Sequence, residues 1–180
     1  MYIKAIFAVA LGFFVTPVNA QQAGIAADGG LMSLDEFADY ASQFNNVQIT
    51  PGDLTTPDRE FAVGGNLLFQ QNRPAGLPLL QSSAAAGNVE AAVALGIAAD
   101  RSGDAVGAFQ WLTQAAGGGD QTGLLLQGRA QLFGVGTQQD FREGTKSLLS
   151  AYNAGNSQAA WDLAKAASYD WAASGDLPSA

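Results

Sequence analysis

The side chains that most often carry enzyme chemistry are missing from this sequence. It contains no histidine and no cysteine, which removes the commonest general base, the thiolate nucleophile and the usual zinc ligands. Carboxylates could still act as acid and base, so their placement matters. Asp35, Glu36 and Asp39 fall on one helix, where Ser33-Leu34-Asp35-Glu36 forms a capping box and a solvated first turn. Asp100, Asp104, Asp120 and Asp140 fall at loops and helix starts, where capping accounts for them. Ser82-Ser83 has no base near it in sequence. Gly134 to Asp140 (GVGTQQD) has the glycines of a phosphate loop but neither the lysine nor a preceding strand. No catalytic, cofactor-binding or metal-binding residue is assigned, and the chain is read as non-enzymatic and free of cofactors.

Three tryptophans could instead stack on a ligand. Trp111 and Trp161 fall at apolar positions inside helices, and core packing is expected for both. Trp171, two residues after Tyr169, either caps the last helix or stands out as an anchor.

The elements that would position these groups are helices, and they recur. In Ala108 to Gly136, Trp111, Leu112, Ala115 and Ala116 share one helical face. Gly117-Gly118-Gly119 ends that helix and Asp120 opens a second, which carries Leu124, Leu125, Leu126 and Leu132. Ala115 to Gly128 aligns without a gap on Ser83 to Gly96 and on Ala151 to Ala164. Gly64, Gly96, Gly128 and Ala164 mark the register, at spacings of 32, 32 and 36 residues. The longer last spacing comes from Gly134-Val135-Gly136-Thr137, inserted before Asp140. A period in the thirties with two helices per period is the sequence signature of an α-solenoid.

Asp104 to Asp120 followed by Leu124 to Asp140 resembles the Sel1-like repeat, a relative of the tetratricopeptide repeat. Ala108, Trp111, Ala115, Ala116, Gly119, Gly128, Gly134, Gly136 and Asp140 sit on its pattern, across about residues 60 to 170. The Leu-Gly pair of that pattern is complete only at Leu95-Gly96. The resemblance implies an all-α fold, a right-handed α-solenoid of antiparallel helix pairs, and a role as an interaction scaffold. In such solenoids the first helix of each pair lines the concave face. Gln110, Gln114, Lys146 and Ser150 are then the polar residues placed to hold a partner segment. Exported proteins of this kind can restrain the outer domain of a membrane sensor.

Along the chain, residues 1–20 read as a secretory signal peptide. Lys4 gives the charged start, Ala5 to Val15 the apolar core, and Val18-Asn19-Ala20 the cleavage site. The run is too short to span a bilayer, which takes about 20 apolar residues, so a periplasmic or secreted product is expected, without membrane insertion. Residues 21–32 form a flexible lead-in. Residues 33–57 hold a helix and loop that cap the open end of the array. Residues 58–172 hold a half unit and about three full units, with helices at 76–86, 89–101, 105–117, 120–133, 140–154 and 157–172. Residues 173–180 are a tail.

The net charge of −8 becomes −9 once Lys4 is removed. Such a surface repels nucleic acid and anionic membranes. The expected product is a monomer that binds a protein or peptide, with a regulated envelope or sensor protein as the most concrete form. The alternative is a cell-envelope glycan-binding accessory or enzyme that uses surface carboxylates and Trp171. A third reading is a structural spacer with no tight partner.

Overall fold

The computed structural model describes residues 30–47, 56–71 and 74–174, with side chains as far as 168. All regular structure among them is helical. The expected signal peptide, most of the expected lead-in, residues 48–55, most of the expected tail, and the Tyr169 and Trp171 side chains lie outside the described residues.

Helix α1 spans Leu34–Ser42 and α2 spans Pro57–Gly65, continuing into a π-helical turn at Asn66–Gln70. Then come α3 (Gly76–Ala85), α4 (Val89–Arg101), α5 (Ala105–Gly117), α6 (Gln121–Phe133), α7 (Phe141–Asn153) and α8 (Ser157–Ser174). The helix ranges expected from the sequence agree to within two residues. Local chemistry sets these ends. Asn88, Asp104, Asp120 and Asp140 each accept a hydrogen bond from a first-turn amide of the helix that follows. At the turns between paired helices, Gly87, Gly119 and Gly155 all have positive φ, which glycine adopts without a Cβ penalty.

From α2 onward each helix packs chiefly on its neighbours in the chain. The marker glycines show why. A Cβ on Gly64 would lie 3.0 Å from Leu80, one on Gly96 2.8 Å from Leu112, and one on Gly128 2.9 Å from Leu148. Three helix crossings at matching positions thus need a residue without a side chain. The leucines they admit, Leu80, Leu112 and Leu148, are fully buried, each burial contributing roughly 1.5–3 kcal/mol.

Helix α4 is buried on every side, from Ala91 through Ile97, as its nearly uninterrupted apolar sequence requires. Side chains of α1 and of the segment before it pack on this core. Leu31 and Met32 sit in the main core with Leu112 and Leu126, and side chains of α1 reach Phe69, Arg101 of α4 and Arg129 of α6. Phe44 packs edge-on to Phe61 at 5.3 Å and against Phe69 at 5.6 Å, in space left open by Gly65. The π turn aims two amides at the end of α1: Asn66 donates to the Phe44 carbonyl at 2.7 Å and Gln70 to that of Ala41. Those carbonyls are otherwise left over at a helix C-terminus.

Trp161 also departs from expectation. It is 65% exposed, whereas Leu125, at the matching place in α6, is 4% exposed. Leu125 clusters with Leu148 and Ala151 of the next helix, and no described helix follows α8 to cover Trp161. Trp111, by contrast, packs against the main core as expected.

Candidate functional site

The four polar residues singled out from the sequence fall on two helices. Gln110 and Gln114 are on α5, and Lys146 and Ser150 are on α7, and all four are exposed. Gln110 and Lys146 are 36 residues apart, as are Gln114 and Ser150, so the two positions on α5 recur on α7. Gln114 donates to the Ala84 carbonyl at 3.3 Å, which ties α5 to α3. Lys146 meets Glu143 at 3.3 Å, and the Ser150 hydroxyl donates back to the Lys146 carbonyl at 3.0 Å. No hydrogen bond or ion pair joins the α5 residues to the α7 residues. They form two polar rows rather than one converging cluster.

Beside them runs an apolar stripe. Phe141, Leu149 and Tyr152 on α7 are 42%, 50% and 51% exposed. Their spacing of eight and three residues keeps them on one helical face. Large apolar side chains in a row on an open face suit protein contact better than solvation.

Away from these residues, one side chain fastens α1 to the rest of the fold. Arg129 on α6 is almost wholly buried. Its two terminal nitrogens donate to the Glu36 carboxylate at 2.7 and 3.1 Å, its Nε donates to Asp162 at 2.6 Å, and one terminal nitrogen also reaches the Leu31 carbonyl at 2.9 Å. One guanidinium therefore links the segment before α1, α1 itself, α6 and α8. The Leu31 amide donates in turn to Asp100 at 2.8 Å, and the Arg101 guanidinium lies 3.9 Å over the Phe37 ring. Asp100 is thus not a cap, as the sequence suggested, but an acceptor for this segment.

Burial alone would raise the pKa of Glu36. The hydrogen bonds and charge of Arg129, with the Ser33 amide, outweigh it and hold the carboxyl below its ordinary value. Burial would likewise lower Arg129, but Glu36 and Asp162 raise it above the usual arginine value. Glu36 also accepts from the Ser33 amide at 2.8 Å while Ser33 accepts from the Glu36 amide. The expected capping box is present, and its acid serves two purposes.

Arg129 and Asp162 escaped the sequence reading, although a signal existed. At matching places the other helices carry Gly65, Ile97 and Lys165 for Arg129, and Ala62, Ala94 and Leu126 for Asp162. Asp162 is the charge in an otherwise apolar slot, and such a charge marks a buried partner. The remaining carboxylates behave as expected: Asp104, Asp120 and Asp140 cap helices.

No family model, no curated protein and no solved structure matches this chain.

Proposed function

We propose that this protein is an exported, non-enzymatic scaffold, a right-handed α-solenoid of antiparallel helix pairs resembling the Sel1 type, which docks a segment of another protein. Restraint of an envelope or sensor protein is the most concrete form of that role. The observation that carries the reading is the matched geometry at 32- and 36-residue intervals. Turn glycines 87, 119 and 155 and the close helix crossings at Gly64, Gly96 and Gly128 recur in register. Stacked units of this kind make a rigid, preformed surface, which lowers the entropy lost on binding.

The docking face is assigned to the first helices, α3, α5 and α7, because α1 and the segment before it are latched to α4 and α6. Its polar contacts would come from Gln110, Gln114, Lys146 and Ser150, and its apolar anchors from Phe141, Leu149 and Tyr152. A net charge of −8 favours a partner with a basic patch.

The test is crosslinking and affinity capture from an envelope extract of the source cell, using tagged protein beginning at Gln21. A dominant partner retained by the native chain should be lost when Gln110, Gln114 and Lys146 are changed to alanine together. Lys146 is 72% exposed and its ion pair lies at the surface, so its loss changes stability by less than about 1 kcal/mol. A partner retained equally by the triple variant would remove the first-helix face from consideration. Capture of glycan fragments instead would move the protein to the accessory class.

A further inference from the structure

A cavity of about 200 Å³ opens between α1, α2, α4 and the start of α6, and the scaffold reading gives it no role. Its walls include Tyr40, Gln43, Phe61, Glu90, Asp120 and Thr122. Two independent features set it apart from an ordinary surface crevice.

The first is uncompensated negative charge. Neither Glu90 nor Asp120 forms a salt bridge among the described residues. Asp120 caps α6 through Oδ1 alone, accepting from Thr122 at 2.8 Å and Gly123 at 2.7 Å. Its Oδ2 is left without a protein donor. The second is a buried polar atom without a well-formed hydrogen bond. The Tyr40 hydroxyl is buried and makes no hydrogen bond of good geometry, although the Gln43 side chain lies close enough to oppose the rise of its pKa. Gln43 stands beside it, but its amide is turned to the Tyr40 carbonyl at 2.9 Å. A buried hydroxyl left unpaired costs on the order of 1–3 kcal/mol, so a resident partner is the ordinary expectation. Burial, and the negative charges of Asp120 and Glu90, push the phenol pKa upward. The oxygen therefore stays a neutral donor and acceptor.

The chemistry of these walls selects the ligand. Two carboxylates repel any anion. A neutral sugar would leave both charges unanswered. A divalent metal prefers more ionised oxygens than two carboxylates and a neutral phenol supply, and no group of three acidic residues gathers among the described residues. An N–H-bearing cation satisfies every feature at once: it answers both charges, donates to the phenol oxygen, and can rest against the faces of Phe61 and Tyr40. The volume is below the roughly 300–1,000 Å³ of pockets that enclose whole small molecules, which fits the end of one side chain or a small amine.

We propose that this cavity binds an organic cation, an alkylammonium or guanidinium group, held by Asp120 Oδ2 and Glu90, with Tyr40 Oη as the neutral acceptor. The source is either a lysine or arginine side chain of a partner protein or a free amine. The proposal does not depend on the scaffold reading.

Isothermal titration of the full chain with butylammonium, ethylguanidinium, and a capped pentapeptide of glycines around one lysine tests it, with n-butanol as the neutral control. At least one cationic probe should bind saturably at one site while n-butanol does not. Glu90→Gln combined with Asp120→Asn should weaken that binding about tenfold or more; asparagine keeps the cap oxygen, so the fold is retained. Tyr40→Phe should weaken it several-fold while leaving thermal stability equal or higher, because it removes an unsatisfied group. Tighter binding of the peptide than of butylammonium assigns the site to a partner side chain, and the reverse assigns it to a free amine. No saturation by any probe at millimolar concentration, or unchanged affinity in both variants, overturns the proposal.

Discussion

Arg129 holds two carboxylates and a main-chain carbonyl, and its removal would strand them. Breaking a buried ion pair from one side typically costs about 3–5 kcal/mol, so Arg129→Ala should lower stability by that order in urea unfolding. Replacing both charges by the residues found at matching places, Arg129→Ile with Asp162→Leu, should recover more than half of that loss. Such a recovery would show that the cluster secures the placement of α1 more than it adds net stability. Glu36 gives a second handle. Its carboxyl lies below the ordinary value of 4.5, so the unfolded chain binds its proton first as pH falls. Its contribution is complete above about pH 4.5 and is lost as pH drops through the lower folded value. Glu36→Gln should flatten the stability profile in that acid range and leave its shape near neutrality unchanged; an unaltered acid limb would mean the pair does not form in solution.

At the scale of the element, the glycines separate into those that a side chain would disturb and those it would not. Gly128 meets Leu148 and the Gly144 carbonyl at 2.9 and 3.0 Å. Gly128→Ala should therefore destabilise by about 1–3 kcal/mol through overpacking, despite better helix propensity. Gly117, at the end of α5, has nothing within 4 Å of its would-be Cβ. Gly117→Ala should stabilise by up to about 1 kcal/mol, and paired thermal melts of the two variants would show opposite signs. Helix limits were legible in the sequence because their causes are local: Asn88, Asp104 and the turn glycines lie beside the ends they define. The course of α1 was not legible. Ser33 and Glu36 announce where it starts, but its docked position depends on Arg129, 93 residues further along, and on a π turn that creates the Asn66 and Gln70 contacts. Trp161 was misread for a related reason. Its helical position matches Leu125, but burial there requires a following helix.

For the whole molecule, the exposed groups are unevenly spread: the N-terminal segment is latched to α4 and α6 through Asp100 and Arg129, while α7 presents the Phe141–Leu149–Tyr152 stripe. The exposure of Gln110, Gln114, Lys146 and Ser150 on α5 and α7 could be read from their helical spacing. The cation cavity could not, because Tyr40, Glu90 and Asp120 come from three separate helices and meet only when α1 is in place.

The latched N-terminal segment also carries a consequence for the order of folding. Paired helices form contacts close in sequence, which is the fast part of assembly. The bond from Arg129 to the Leu31 carbonyl closes a separation of 98 residues, and closing so long a loop is entropically costly until both docking surfaces exist. The first described helix can meet α2 early through Phe44, Asn66 and Gln70, but its latch to Arg129 is the last contact it can close. Until α6 and α8 are built, Leu31 and Met32 remain outside the core, and any early intermediate carries its N-terminal segment unlatched.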